Sequence, residues 1–178
     1  MSNVQLATDI QANFLQKYRI NQNLLGSSKF IFITHNMPFL NYFCQSIQLP
    51  SVSTSPAIQP TPLVNIPRAG DKMIYEPFTV TALIDEDLRM WEETHNWIRG
   101  LTFPEKDSEY SRQKKMGIYH DMHLLFLKNS NTDNLKMKFI KCFPSSISSV
   151  RMSSTDAADV MLTADITFYY DIFNFERN

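Results

Sequence analysis

Five prolines, at positions 50, 56, 60, 62 and 67, crowd one short stretch of this chain. A sheet interior cannot hold such a run, because each proline withholds an amide donor and fixes its own φ. The segment S-V-S-T-S-P-A-I-Q-P-T-P-L-V-N-I-P is therefore read as an extended edge or a protruding loop. Its Val52, Ile58, Leu63, Val64 and Ile66 are apolar enough to require cover, either from the same domain or from another subunit. Val52, Ile58, Pro60, Pro62, Val64 and Ile66 are accordingly the candidate subunit-contact residues.

Beyond it, Gly70-Asp71 marks a turn, and Met73 to Ile84 reads as one long strand. Asp85, Glu86 and Asp87 supply a cap and negative charge for a helix N-terminus. Leu88, Trp91, Ile98 and Leu101 then give that helix an apolar face for the sheet, with Trp97 flanking it. Arg99 complements the last turn, Gly100 can end the helix, and Pro104 stops its continuation.

Period-two patterns fill most of the remainder. Lys29 to Thr34 and Tyr42 to Leu49 read as strands, separated by a loop at His35-Asn36-Met37-Pro38. Met122 to Lys128 and Leu135 to Ile140 are two more, joined by the turn N-S-N-T-D-N. The serine-rich run after Pro144 reads as a connection or an irregular edge. From Val160 to Ile172 the chain alternates without a break, with Leu162, Ala164, Ile166, Phe168 and Tyr170 on one face. This is expected to be a central antiparallel strand. At the N-terminus, Leu6, Ile10, Phe14 and Tyr18 recur every four residues, which predicts an amphipathic helix within an arm over 1–28. That arm either packs on its own core or reaches a neighbour. Glu105 to Gly117 is charged and aperiodic, a solvated loop over 105–117. The sum is one α+β domain over 1–178, mostly antiparallel strands with one inserted helix.

Composition narrows the function. At 178 residues the chain can bury roughly 70% of its unfolded surface. Seventeen basic against eighteen acidic residues leave no electrostatic footprint for duplex nucleic acid. Only four glycines argue against a phosphate-cradling loop. The N-terminus has neither a basic start nor an apolar run, so no secretory signal is expected, and no run approaches the roughly 20 residues of a membrane span. Cys44 and Cys142 sit in apolar, strand-like runs and read as buried free thiols of an intracellular protein, ahead of a disulfide.

Candidate chemistry is sparse. His120 and His123 flank Asp121 and Met122, but a spacing of three on a strand sets them on opposite faces, which defeats chelation. Asp85-Glu86-Asp87 lacks the further oxygen ligands of a calcium loop and reads as helix capping. Neither cysteine has an activating neighbour in sequence. Asp165 and Asp171 share a face of the last strand but stand roughly 20 Å apart, too far for paired-carboxylate catalysis. No catalytic, metal or cofactor site is expected.

The segments Q-S-I-Q-L-P, Q-P-T-P-L-V-N-I-P-R-A-G-D-K-M-I-Y-E-P-F-T-V, L-I-D-E-D-L and W-I-R-G-L-T-F-P, with F-P-S-S-I-S-S-V and D-I-T-F-Y-Y-D-I-F downstream, follow a recognisable order. Together they resemble the tail completion and sheath stabiliser (tail tube terminator) proteins of T4-like contractile-tailed phages, across Phe30 to Phe173. The resemblance implies a tail-tube-like fold, in which two packed antiparallel sheets and a flanking helix make a subunit and six subunits close a ring with an inner β-barrel. It implies a structural virion protein at the head-proximal end of the tail tube, assembled in the bacterial cytoplasm. Its expected partners are further copies of itself, the tail tube protein, sheath terminator or neck proteins, and DNA passing without sequence-specific binding. A tube or baseplate-initiator subunit of the same fold is the alternative, and a soluble binding module the second. On this reading Thr163, Asp165, Thr167 and Asp171, free of Lys and Arg, are the candidate lumen face.

Overall fold

The computed structural model describes residues 23–103, 117–155 and 161–177. Among the described residues eleven strands and two helices follow in order: β1 (Phe30–Thr34), α1 (Pro38–Phe43), β2 (Cys44–Gln48), β3 (Val52–Thr54), β4 (Ala57–Pro60), β5 (Asn65–Arg68), β6 (Met73–Tyr75), β7 (Phe78–Leu83), α2 (Arg89–Thr102), β8 (His120–Leu127), β9 (Asp133–Ile147), β10 (Thr163–Tyr169) and β11 (Ile172–Arg177). The principal sheet runs β1-β8-β9-β10-β7-β2, with β11 also on β9, and every pairing is antiparallel.

The fifteen-residue β9 organises this sheet. Its first part pairs with β8 and β11, and its last residues pair with β10. Between the two, Lys141 has φ +55°, an uncommon value for a side-chain-bearing residue, and inward positions shift from Met137 and Phe139 to Cys142 and Pro144. The same register sum joins Tyr169 to Phe143 and Ile172 to Ile140, so β10 and β11 follow β9 around one common bend. The sheet thus folds over into two four-stranded halves, β1-β8-β9-β11 and β9-β10-β7-β2. Phe78 of one half meets Phe32 and Phe139 of the other, with ring centroids at 6.4 and 4.4 Å. Val80, Ala82, Ala164, Ile166 and Phe168 from one half and Met122, Leu124 and Met137 from the other complete the core. Tyr170 and Phe173 carry the aromatic cluster through the bend.

Several sequence expectations need correction. Tyr42 to Leu49 is not all strand: Pro38 occupies the first turn of α1, where its missing N–H costs nothing, and Tyr42 and Phe43 are helical. The Asn41 side chain accepts from Thr34 N–H and donates to Thr34 C=O, both at 2.7 Å, closing the end of β1 as a strand would. Met73 to Ile84 breaks at Glu76-Pro77 into β6 and β7, which belong to different sheets. The serine-rich run does not leave the sheet at Pro144, since β9 continues to Ile147. The long alternation is bent: Leu162, Ala164, Ile166, Phe168 and Tyr170 do point inward, but the chain turns at Tyr170-Asp171. The predicted N-terminal helix, Val160, Pro104 and all but Gly117 of the charged loop lie outside the described residues.

The helix meets the sheet through a different stripe from the one expected. Leu88 is exposed and left-handed (φ 57°) just before the first turn, and Trp91 is half-buried, stacked on His95 one turn along. Ile98 and Leu101 are also only half-buried. The buried positions are Met90, Thr94 and Gly100, with Trp97 packed against Phe168 and the core. Thr94 tolerates burial because its hydroxyl donates to Met90 C=O at 3.0 Å. Gly100 therefore lies inside the helix, which runs on to Thr102. Asp85 does act as the cap, accepting from the N–H groups of Arg89 and Met90 at 3.1 and 3.2 Å. Met90→Ala should accordingly cost about 2–5 kcal/mol, and Trp91→Ala less. Urea melts of the two variants would check that order.

Candidate assembly surfaces

The proline-rich stretch forms an arm. Strands β3 and β6 pair at its root and β4 and β5 beyond them, around a tip at Thr61 to Val64. From Val52 to Pro60 eight residue steps span at most about 26 Å at roughly 3.3 Å per residue. Between the two ribbons the strands pinch together. A Cβ on Gly70 would fall 1.8 Å from the Ser55 carbonyl oxygen, so only glycine fits. The candidate contact residues Val52, Ile58, Pro60, Pro62, Val64 and Ile66 all lie on this arm; Val52, Ile58, Pro60 and Ile66 lie in its strands, and the exposed Pro62 and Val64 at its tip. Leu63 at the tip is 98% exposed, Ile58 65% and Val64 62%.

Its root is fixed from inside the body. Tyr75 packs edge-on against Tyr170 and Phe173, at 5.9 and 5.4 Å between centroids. The Tyr170 hydroxyl donates to Glu76 C=O at 2.9 Å, and burial pushes its phenol pKa up to about 12. Glu76 N–H in turn donates to Ser51 C=O.

The second surface is the outer face of the β9-β10-β7-β2 half. Thr163, Asp165 and Thr167 stand on β10 beside Leu83, Thr81 and Thr79 of β7. Ser46 and Gln48 of β2 and Ser146 of β9 extend the row. Thr81 Oγ1 donates to Asp165 Oδ1 at 2.6 Å, and Ser148 Oγ accepts from Asp165 N–H at 2.9 Å. No Lys or Arg occurs on these strands from Cys44–Gln48, Phe78–Leu83, Phe143–Ile147 or Thr163–Tyr169. Asp171 does not belong here: it lies at the bend, 3.0 Å from Lys141 Nζ. Alternation along β7 was visible in the sequence as F-T-V-T-A-L, but the pairing that sets its threonines beside Asp165 was not.

The cations sit on the other half. Lys136 pairs with Glu176 at 3.2 Å and Lys138 with Asp121 at 2.9 Å. Asp121 Oδ1 also accepts the Lys141 N–H at 3.1 Å, so one carboxylate stitches the bend of β9 to β8. The Lys138 hydrogen bond, with the Lys141 N–H behind it, holds the Asp121 carboxyl below its usual range. A carboxyl depressed by folding stabilises the protein above its unfolded pKa, and that contribution disappears as pH falls through the folded value. Asp121→Asn should therefore melt lower than the parent above about pH 5, with the difference vanishing towards about pH 2. Thermal melts across that range would check it. The effect is modest, because the pair is largely solvated.

The other titratable candidates resolve simply. His120 packs on Trp97 and His123 lies near His35, on opposite faces of β8 as the spacing implied. Burial lowers the pKa of both. Cys44 and Cys142 are free thiols, pushed by burial up to about 11 and about 12, so neither is a thiolate at neutral pH. Among the described residues no three His, Cys, Asp or Glu side chains cluster to hold a metal. No helix among them is long and apolar enough to cross a membrane.

This architecture has known counterparts. The chain is 28% identical over 138 residues to the tail tube terminator protein of Enterobacteria phage T4, covering 75% of this chain and 77% of that one. Its fold matches a component of the anti-feeding prophage baseplate with a TM-score of 0.57 at 8% identity, covering 89% of this chain and 98% of the other. The tube terminating cap of the anti-feeding prophage matches with a TM-score of 0.56 at 13% identity, covering 89% and 95%. The family model described as phage tail tube protein matches residues 3–176, nearly the whole length, and the chain belongs to that family.

Proposed function

We propose that this protein is a tail tube terminator: a ring of six copies that caps the head-proximal end of a phage tail tube and offers the joint to sheath terminator or neck proteins. The observation that carries the reading is the likeness in sequence to the T4 terminator over 138 residues. Fold alone does not separate a cap from a baseplate component. Its role is structural, without catalysis, and it is met in the virion tail after assembly in the bacterial cytoplasm.

The free strand edges fit such a ring. Among the described residues of the lysine-free half, β2 pairs only with β7, and residues 143–147 of β9 pair only with β10. Those edges lie on opposite sides, so a head-to-tail join leaves neither exposed and closes by rotation. The face bearing Thr163, Asp165 and Thr167 then lines the channel. Its hydroxyl groups and lone carboxylate offer DNA phosphates no counter-charge, so a passing duplex is not retained. The arm leaves from one end of this sheet only, beside Gln48 and Phe78. Two ring faces that differ are what termination needs.

Tube growth tests the reading. Added to polymerising tube subunits, the protein should fix tube length and remain at one end. Incorporation along the tube would make it a tube subunit, seeding of new tubes an initiator, and no binding a module without an assembly role.

A further inference from the structure

One corner of the lysine-bearing half gathers positive charge around an imidazole nitrogen left without a partner. His123 projects from the outer face of β8, with Ile33 of β1 opposite it on one side and Lys138 of β9 on the other. Its Nδ1 is buried and has no hydrogen-bond partner among the described residues. His35, just past the end of β1, meets the His123 ring edge-on, with centroids 6.3 Å apart. Lys136 and Lys138 oppose a charge on this ring, and Asp121, two positions back on β8, favours one. The Asp121 carboxylate is already held by Lys138 at 2.9 Å and by the Lys141 N–H at 3.1 Å. Glu176 of β11 is likewise engaged, by Lys136 at 3.2 Å.

We propose that His123 is a proton-operated latch on β1, closed while its ring is neutral and loosened, with the β1–α1 corner, once the ring is protonated. A neutral ring can keep its proton on Nε2 and leave Nδ1 a bare acceptor. A protonated ring makes both nitrogens donors, which sets a charge and an unanswered N–H in a buried place beside two lysines and a second histidine. Burial first, then Lys136 and Lys138, hold the His123 pKa below the ordinary 6.5. Opening β1 lifts that depression, so the opened state takes up the proton first. The latch is therefore whole above about pH 6.5 and weakens as pH falls from there through the folded value. The strand it guards is an end strand: among the described residues β1 pairs with β8 alone, whereas β8 has a strand on each side. Its other fastening, the two hydrogen bonds between Thr34 and the Asn41 side chain, contains no titrating group. The strands of the lysine-free half carry one carboxylate and no histidine, so mild acid loosens one half of the sheet and spares the other.

Amide hydrogen exchange of the full-length chain between pH 7.5 and pH 5 tests it, with rates corrected for the pH dependence of chemical exchange. The amides of Phe30–Thr34 should lose protection below about pH 6.5, by at most about tenfold per pH unit because one proton is taken up. Those of β10 should keep theirs over the same range. His123→Gln, neutral at every pH, should hold β1 protection level, while His120→Gln, on the opposite face of β8, should leave the acid loss in place. Protection of β1 that follows β10 at every pH, or an acid loss unchanged by His123→Gln, would overturn the proposal. NMR titration of the His123 Cε1–H signal in the unsubstituted chain needs no variant to fold. A midpoint below 6.5 is expected there, and one at or above it would sink the latch. No tube enters either measurement, so the outcome stands apart from the terminator reading.

Discussion

Phe78→Ala should remove about 3–5 kcal/mol of stability, the largest loss expected from any single side chain here. Phe78 is fully buried and joins both halves of the sheet, stacking on Phe139 at 4.4 Å and Phe168 at 5.3 Å and meeting Phe32 edge-on. Truncation leaves a cavity between two layers that cannot collapse, because β9 and β10–β11 hold them at a shared bend. Set against the typical total of about 5–15 kcal/mol, such a loss brings the domain close to unfolding. Chemical denaturation should show a lower midpoint with an unchanged slope. Phe78→Leu, which keeps most of the volume, should recover a large part of the loss. A Phe78→Ala protein that melts like its parent would mean that the two halves do not depend on each other.

The second large effect separates assembly from folding. Ile58→Asp with Val64→Asp places two charges on the arm, where both side chains are exposed in the single chain. The melting temperature should hardly move, since surface substitutions generally change stability by less than about 0.5 kcal/mol. Capping should nevertheless weaken steeply. Burial of each aliphatic side chain at a contact is worth about 1.5–3 kcal/mol. Losing both should raise the concentration needed to fix tube length by at least about 100-fold. Circular dichroism melts beside tube-length distributions would separate the two quantities. Normal capping by this variant would remove the arm from the interface.

Parts of this molecule were legible in its sequence for physical reasons that differ from element to element. The arm was marked by its prolines, whose missing donors forbid a sheet interior. The inward set of β10 was marked by strict alternation, and Asp85 by its position ahead of a helical pattern. The helix face was misjudged because the Trp91 side chain is far larger than that of Met90 and offers more apolar area to bury. Yet Met90 and Thr94, a helical turn apart, and Trp97 beyond them hold the buried stripe. Side-chain size favoured the wrong stripe by one position, about 100° around the axis. The bend in β9 could not be seen at all. It depends on Lys141 adopting a positive φ that its residue type does not announce, secured by Asp121 twenty positions earlier. Asp171 was assigned to the channel face by parity alone, and that bend moved it away.

The aromatic cluster has a use outside stability. Tyr75 in the arm's root touches Tyr170, Tyr170 lies 5.7 Å from Phe78, Phe78 5.3 Å from Phe168, and Phe168 6.4 Å from Trp97. An unbroken row of rings thus runs from the foot of the arm to the inner side of α2. Trp91, the second tryptophan, stands apart on His95 and can be replaced by Phe. The remaining indole then becomes an intrinsic fluorophore wired by contact to the arm, and its emission offers a dye-free optical record of the moment when the arm finds its seat.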